Sequence, residues 1–436
     1  MNKTMVADSS AHSSLPPGWR LAPLAELSLV PGRYGSPEPA RPYDPYLPRY
    51  VRITDIDDQG TLRTSTKASI SSSKAEPHLL QPGDLLIARS GSTVGKSYLY
   101  DPRDGVCAHA GYLIRFRLDP DRCDPQYVAH YTRSTAYWGW IRRTQRQAAQ
   151  PNINADELRA LTLPLPPLAE QRRIAAVLTS SVDAIRASAR LLATHVAVKR
   201  ALVAELMTRG VDRRGQLRSP GRDSSLGPLP DDWQVRPVSD LLARTPNAMR
   251  SGPFGSELKK SDLCARGIPL LGIDNVHVDR FTRPFRRFIS VPTFHRLERY
   301  QVFPGDVMIT VMGTVGRACV VPGDIDRALS SKHVWTLTFD KHRYLGSLAA
   351  LQFNHAPWVR AHFRRDEQGG TMYAIRSETL RTVMLPVPPM REQRRIAAVL
   401  ARSEKRVATE RAALRRYKTL HRGLMNDLFS GRTQVP

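Results

Sequence analysis

The chain has 436 residues, 41% of them hydrophobic and 24% charged; this is ordinary for a soluble folded protein, and the length predicts two or more domains. It carries 65 lysines and arginines against 40 acidic residues, which gives a formal net charge of +25. Because so many positive charges repel one another, this composition favours a polyanionic partner: nucleic acid is the first candidate and an anionic membrane the second. A generally basic host proteome is the other explanation of the charge.

Two further features narrow the class of protein. No run of about 18 apolar residues occurs, and residues 1–14 lack the apolar centre of a secretion signal. The four cysteines lie far apart without C-x-x-C spacing, which argues against a zinc site and against a disulfide framework: Cys107, Cys123, Cys264 and Cys319. We therefore expect a cytoplasmic protein that spans no membrane and holds no metal.

Each half of the chain predicts a domain of the α+β class. In the first half, short strand-like runs separated by proline and glycine lie at 50–56, 84–90 and 110–118, and an amphipathic helical stretch follows at 125–143. In the second half, the corresponding runs lie at 268–276, 306–312 and 333–339, and the helical stretch lies at 344–365. The order of the strands cannot be read from these patterns.

The most informative feature is an internal repeat at an offset of 222 residues, about half the chain. LPLPPLAEQRRIAAVL (163–178) and LPVPPMREQRRIAAVL (385–400) are identical at 13 of 16 positions. The same offset aligns Pro82-Gly83-Asp84 with Pro304-Gly305-Asp306, and LPPGW (15–19) resembles LPDDW (229–233). The segments between these marks differ strongly, which indicates two related scaffolds with different binding surfaces; a duplication that drifted without function is the alternative.

A long helix is predicted after each repeated motif, because Pro166-Pro167 and Pro388-Pro389 prevent a helix from starting earlier. The first helix has apolar residues at alternating spacings of four and three, interrupted only at Lys199: Leu178, Val182, Ile185, Ala189, Leu192, Val196, Val203 and Leu206. The second keeps Leu400, Val407, Leu414 and Leu428 at multiples of seven residues, and His421 interrupts this track. Glu404 and Arg411 form a further polar break in the second helix.

Each helix can extend over about 40 residues, or about 60 Å. A helix of that length with one narrow apolar stripe needs a partner helix, and the other copy is available. The pattern therefore predicts an antiparallel coiled coil with pseudo-twofold symmetry that separates the two domains. A plain helical hairpin inside a single core is the alternative.

Basic and aromatic residues alternate late in each domain, around Trp138 and Trp140 in the first and around Trp358 and Phe363 in the second. Arginine and lysine can clamp phosphates or read guanine edges, so basic residues in these and the matched positions are candidates for DNA contact. The candidates are Arg89, Lys96, Arg142, Arg143, Arg146, Asn152, Lys259, Lys260, Arg317, Lys332, Arg360, Arg364 and Arg365. For each of them, a solvated helix face is the alternative interpretation.

Motifs for catalysis are missing. SGSTVGKS (90–97) resembles a phosphate-binding loop, but only three residues separate Gly91 from Gly95 where that loop needs four. A glycine turn that presents Lys96 and Arg317 to a DNA backbone, or a tight hairpin, fits better. The chain has no dinucleotide, zinc-hydrolase, serine-hydrolase or adenine-methyltransferase signature, so a binding protein is favoured over an enzyme.

The doubled LPxPPxxEQRRIAAVL motif, the PGD segments and the LPxxW segments resemble the specificity subunits of type I restriction-modification systems over essentially the whole chain. The resemblance implies two tandem target recognition domains, each reading half of a split double-stranded DNA site, and paired helices that set the gap. It also implies two methyltransferase subunits and restriction (translocase) subunits as partners. S-adenosylmethionine, ATP and Mg²⁺ would bind to those partners, which methylate adenine at N6 and cleave DNA, and this chain would hold no cofactor.

The paired prolines, the glycines at the helix ends and the polar segment between the repeats predict these boundaries: recognition domain 1 at 1–167, first spacer helix at 168–210, linker at 211–228, recognition domain 2 at 229–389 and second spacer helix at 390–436. The resemblance implies partner binding at the starts of the helices, at Glu170, Gln171, Arg172, Arg173, Glu392, Gln393, Arg394 and Arg395. Two other hypotheses stay open. An enzyme with its own nuclease or methyltransferase centre would act alone, and a coiled-coil scaffold would bind DNA without sequence preference.

Overall fold

The computed structural model describes residues 15–145, 152–219, 221–283, 285–367 and 375–435. The chain forms two compact units, one from residues 1–189 with 412–436 and the other from residues 190–411. Each unit combines one α+β domain with a part of both long helices. None of the described helices has the length and the apolar character that a membrane span requires.

The first unit contains two four-stranded sheets. Its strands are β1 (Arg20–Pro23), β2 (Ser28–Tyr34), β3 (Arg41–Pro42), β4 (Arg49–Val51), β5 (Ala68–Ser69), β6 (Asp84–Ala88), β7 (Ser97–Leu99), β8 (Cys107–His109), β9 (Leu113–Leu118) and β10 (Thr162–Leu165). The sheets have the orders β2-β9-β6-β7 and β3-β5-β4-β8, and β1 pairs with β10. The helices are α1 (Ser72–Ala75), α2 (Pro125–Tyr131), α3 (Thr135–Gln145), α4 (Ala155–Arg159) and α5 (Leu168–Thr208), which begins in this unit.

The second unit repeats this arrangement. Its strands are β11 (Gln234–Pro237), β12 (Met249–Ser251), β13 (Leu263–Cys264), β14 (Ile268–Leu271), β15 (Val276–His277), β16 (Arg280–Phe281), β17 (Phe288–Ile289), β18 (Val307–Thr310), β19 (Ala318–Val320), β20 (Leu329–Ser330), β21 (Val334–Leu337) and β22 (Met384–Val387). The orders are β12-β21-β18-β19 and β13-β17-β14-β20, and β11 pairs with β22. The helices are α6 (Val238–Leu241), α7 (Val291–Arg296), α8 (Gly346–His355), α9 (Pro357–Glu367), α10 (Ser377–Arg381) and α11 (Met390–Phe429).

Each PGD segment leads into a fully buried strand, β6 or β18, and its aspartate is a buried acid with an arginine partner. Asp84 accepts two hydrogen bonds from the Arg117 guanidinium, at 2.9 and 3.0 Å. Asp306 accepts from the guanidinium of Arg250 and from the Thr338 hydroxyl at 2.6 Å. A buried carboxylate is tolerated when it is paired and hydrogen-bonded in this way, so the repeated aspartate has a structural role.

The predicted long helices are present, and each begins directly after its two prolines. In the first turn of α5, Glu170 accepts a hydrogen bond from the indole nitrogen of Trp19 at 3.1 Å. In the first turn of α11, Glu392 accepts from the indole nitrogen of Trp233 at 3.0 Å and from the backbone N–H of Val211 at 2.9 Å. The repeated tryptophan therefore ties the beginning of each domain to the start of its own helix.

The glutamine that follows each of these glutamates is buried. Gln171 accepts from the backbone N–H of Asp124 at 2.9 Å and donates to the carbonyl of Pro166 at 2.8 Å. Gln393 accepts from the N–H of Leu345 at 3.0 Å and donates to the carbonyls of Arg343 and Pro388 at 2.9 and 2.8 Å. These amides satisfy backbone groups that the ends of the shorter helices and the proline turn leave without partners.

Within each unit, the apolar track of one long helix contacts the other long helix. In the first unit, a core cluster joins Leu178 of α5 to Met425 and Leu428 of α11. In the second unit, a core cluster joins Val203 of α5 to Leu400 of α11. In both units a residue early in one helix meets a residue late in the other, which is the order of an antiparallel pair.

Replacing Gln393 by alanine should lower the free energy of unfolding by about 1–3 kcal/mol for each backbone group left buried without a partner. Three groups lose their hydrogen bonds to this side chain. Denaturant unfolding of the purified chain measures the change. Arg394→Ala, at the exposed neighbouring position, is the control and should change stability by less than about 0.5 kcal/mol. Equal stability of the two variants would contradict the structural role of Gln393.

Candidate nucleic-acid interface

In the first unit, Arg89 and Asn152 come together with an aromatic ring. The Arg89 guanidinium lies over the ring of Tyr34, 4.7 Å from its centroid, and its Nε donates to Asn152 Oδ1 at 3.4 Å. The backbone holds the arrangement, because Ile153 N–H donates to the Arg89 carbonyl and Arg89 N–H donates to the Tyr112 carbonyl. Tyr34 and Tyr112 are both exposed. A stacked, half-buried arginine beside exposed rings is suited to contact a base or a phosphate.

The second unit has a different residue at the position equivalent to Arg89. Ile375 N–H donates to the Val311 carbonyl, as Ile153 N–H does to the Arg89 carbonyl, so the offset of 222 holds in three dimensions. Val311 N–H likewise bonds to the His333 carbonyl. Val311 is buried and apolar. The two units therefore share backbone contacts at this position, but only the first unit has a polar, partly exposed side chain there to offer a ligand.

The glycine turns of the sequence lie in the loops that join two antiparallel strands of each unit, and each loop packs on a basic helix. The turn between β6 and β7 carries Lys96 and packs on α3, where the Tyr137 hydroxyl donates to the Gly95 carbonyl at 2.8 Å. Gly95 has a φ of +85°, and an added Cβ would lie 3.2 Å from Trp138, so the turn needs glycine here. Arg142 and Arg143 are exposed in the last turn of the same helix.

Lys96 is also held by an acidic residue. Its ammonium lies 2.6 Å from a carboxylate oxygen of Asp58, and this hydrogen bond and charge lower the pKa of Asp58. Asp58 is largely exposed, so the pair is open to solvent. An ion pair of this kind is weak, because water screens the attraction between the two charges. An anionic ligand could therefore displace Asp58 and bind Lys96.

In the second unit, the corresponding hairpin and helix form a basic cleft. Arg317 of the turn lines a cleft of about 450 Å³ together with Arg360 and Arg364 of α9. Phe363 is buried beside them, 3.8 Å from the place where a Cβ on Gly316 would lie. The structure thus brings Arg317 together with two arginines of a helix that is distant from it in sequence, and Arg365 is exposed on the same helix.

A second basic cleft of about 210 Å³ contains the lysines predicted from the second half of the chain. Lys259, Lys260 and Lys332 line it together with Arg287, which sequence reasoning missed. His333 lines the same cleft, and its pKa is lowered by burial and by the charges of Lys332 and Arg287. A cleft that disfavours a further positive charge is suited to an anion.

Arg146 lies outside the described residues, and part of the predicted partner-binding set needs correction. Of the eight residues assigned to partner binding, Gln171, Glu392 and Gln393 are buried and hydrogen-bonded within the chain. Their side chains therefore offer little surface to a partner. The exposed members of that set are Arg172, Arg173 and Arg394, while Glu170 and Arg395 are half-buried.

Some residues of the interface could not be found from sequence. Tyr34 lies 55 positions before Arg89, at the end of a strand, and nothing in its local pattern marks an exposed ring. Arg287 had a weak signal in the basic run RPFRRF (283–288). Within the part of the chain that the structure describes, no group of three or more histidine, cysteine or acidic residues is arranged to hold a metal ion.

Comparison with known proteins shows the family to which the chain belongs. The family model described as the type I restriction modification DNA specificity domain matches residues 48–193 and 230–416, one match in each half. The chain belongs to this family. It is a DNA specificity subunit with two tandem recognition domains, and this identity supports a non-catalytic role.

Known relatives match most of the chain. The type I restriction enzyme MjaVIII specificity subunit of Methanocaldococcus jannaschii is 20% identical over 365 residues, which cover 82% of this chain and 80% of the relative. A chain solved in work on complex assembly and conformational transition of the type I R-M system has 22% identity and a TM-score of 0.56, with coverage of 95% and 98%. The type I S subunit from M. genitalium has 13% identity and a TM-score of 0.54, with coverage of 96% and 97%. At these identities the likeness to the solved structures shows the fold.

Proposed function

We propose that this chain reads an asymmetric, two-part DNA site, one part with each recognition domain, and positions catalytic subunits on the DNA. Recognition domain 1 would comprise residues 1–167 and recognition domain 2 residues 229–389. The observation that carries the proposal is the replacement of Arg89 in one unit by Val311 at the equivalent position of the other, on the same backbone hydrogen bonds. Two identical half-sites could be read by identical side chains, so a difference at equivalent positions favours two different half-sites.

The basic surfaces support the same conclusion. Lys259 and Lys260, in the second basic cleft, lie in a segment between the repeated marks, where the two halves differ strongly. Arginine can pair with a guanine edge in the major groove, while lysine acts on phosphates as a point charge. A stacked arginine in one unit and a lysine cleft in the other therefore favour contact with different DNA features.

The long helices would act as the spacer between the half-sites, with residues 211–228 as the linker between the repeats. Helices of 41 and 40 residues have lengths of about 60 Å at about 1.5 Å per residue. Pairing of these helices along their lengths as an antiparallel coiled coil would hold the two recognition domains at a constant separation. The exposed arginines at the helix starts, Arg172, Arg173 and Arg394, are the residues we assign to partner contact.

The catalytic steps would belong to the partners. We propose two methyltransferase subunits that use S-adenosylmethionine to methylate adenine at N6, and restriction subunits that use ATP and Mg²⁺ to translocate and cleave DNA. The repeat supports two methyltransferases, because two equivalent helix starts offer two equivalent docking positions. The complex would act in the cytoplasm, where these partners meet DNA.

The test is a genome-wide map of N6-methyladenine in the host with this gene intact and deleted. We expect deletion to abolish methylation at one asymmetric motif made of two specified parts and an unspecified gap. Re-expression of the chain should restore that motif. A map that does not change on deletion would overturn the proposal.

Substitutions in one recognition domain should impair recognition of one half-site and leave the other half-site unaffected. Alanine at Arg142 and Arg143 should relax or lose reading of the first half-site only, and alanine at Arg360, Arg364 and Arg365 should affect the second only, because each set lies within one unit. Methylation maps of the variants give the readout. Arg190→Ala, at an exposed position of the long helix, is the control and should leave both half-sites unchanged. Equal loss of both half-sites in either variant would refute the assignment of one domain to each.

The gap should depend on helix length. Deleting one heptad from each helix, residues 188–194 and 408–414, removes about 10 Å of spacer and should shorten the gap by about three base pairs without changing the half-sites. A chain that keeps both heptads and carries alanine at the exposed Arg190 and Thr409 is the matched control. A methylated motif with the original gap would show that the helices do not measure it.

A further inference from the structure

A lysine lies buried in the apolar track of α5 in the second unit. Lys199 has a side chain only 5% exposed, and its ammonium donates to Asp279 Oδ2 at 2.6 Å and to Glu404 of α11. From the sequence, Lys199 and Glu404 are interruptions of two apolar tracks. In the structure they meet each other and an acid of the recognition domain.

Asp279 joins this lysine to two further elements of the domain. It lies in the turn between β15 and β16 with a φ of 57°, a left-handed conformation that is uncommon outside glycine. Its carboxylate accepts hydrogen bonds from Asn354 Nδ2 at 2.6 Å and from His355 Nε2 at 2.5 Å, at the end of α8. Burial opposes ionisation of Asp279, but the hydrogen bonds and charges of His355 and Lys199 outweigh it and lower its pKa.

These five side chains, Lys199, Asp279, Asn354, His355 and Glu404, form what we call the Asp279 cluster. An apolar contact between a helix and a domain tolerates small sliding and rotation, because it has no direction. A buried ion pair tolerates neither, since any displacement leaves a charge in the core without its partner. The cluster therefore holds the recognition domain in one position on α5 and α11.

The first unit has different side chains at the equivalent positions. At the offset of 222, Lys199 corresponds to His421, and the turn that carries Asp279 corresponds to the turn at residues 57–61. His421 Nδ1 lies 2.7 Å from the Ser181 hydroxyl, and burial lowers the pKa of His421. The Asp57 carboxylate accepts from the N–H groups of Gln59 and Thr61 in its own turn. Among the described residues, the buried lysine with two carboxylates thus belongs to the second unit.

We propose that the Asp279 cluster positions recognition domain 2 on the spacer helices and so sets the exact gap at which the second half-site is accepted. The proposal rests on the proposed function. Lys199 and Asp279 are positioning residues in it, since neither is assigned a contact with DNA. Weakening the cluster lets the domain shift on the helices, so sites with a slightly wrong gap gain acceptance while the base preference of each half-site is kept.

The experiment uses the full complex with its methyltransferase subunits and DNA duplexes that carry both half-sites, known from the methylation map. The duplexes have the native gap or a gap one base pair shorter or longer. Methyl transfer to each is measured for the parental chain, Lys199→Met and Asp279→Asn. We expect both variants to raise the rate on wrong-gap duplexes relative to the native gap by about tenfold. Arg200→Met removes the same charge at the exposed adjacent position and should keep the parental ratio.

The outcomes separate the two proposals. Parental gap discrimination in the folded Lys199→Met and Asp279→Asn complexes, beside an active parental complex, would overturn this inference alone. A change in half-site preference with the gap still strict would also overturn it. A parental complex that methylates none of the duplexes would overturn the proposed function and this inference with it. Should Lys199→Met fail to give a cooperative unfolding transition, Asp279→Asn, which keeps the side-chain shape, decides the question.

Discussion

The burial of one side-chain amide at the start of each long helix is the contact on which the rest of the architecture depends. Gln171 and Gln393 each accept from a backbone N–H at the beginning of a short helix and donate to a carbonyl of the proline turn. An amide has its donor and acceptor in one plane, so both bonds form only at one angle between domain and helix. The hydrogen bond from tryptophan to glutamate and the two-stranded sheet that precedes each helix connect the same domain to the same helix start.

This common framework leaves the surface free to differ between the two units. The backbone bonds around Arg89 and Val311 are the same, and they are made by N–H and C=O groups that every residue except proline supplies. A side chain at such a position can change from a cation to an apolar group without disturbing the strand that carries it. The framework therefore explains how two domains with the same sheet orders can differ in the side chain at an equivalent position.

The architecture was largely predictable from sequence because its signals are local or repeated. The paired prolines, the 4-3 apolar spacing and the 222-residue offset each indicate one feature without tertiary knowledge. The candidate interface was less predictable, since Tyr34, Arg89 and Asn152 meet only when distant strands pair. The assignment of Gln171 and Gln393 to partner contact rested on the family resemblance, which assigns the helix starts as a whole, but both side chains are buried with their hydrogen bonds made inside the chain. Lys199 was interpreted as an interruption of the apolar track, because the two carboxylates that pair with it, Asp279 and Glu404, are distant in sequence and meet it only in the folded chain.

The buried aspartates of the two PGD segments bear on how such genes diversify. Asp84 takes its arginine from β9, whereas Asp306 takes its arginine from β12, which occupies the place of β2 in the other unit. A recombination event that exchanged one of these strands between the units would leave a buried carboxylate without its partner or put two arginines beside it. Breaking such a pair costs about 3–5 kcal/mol, a large share of the stability of an ordinary domain. Exchange of a complete domain between its tryptophan and its paired prolines keeps each acid with its own arginine, so crossovers at those borders preserve a folded protein while bringing in a new reading surface.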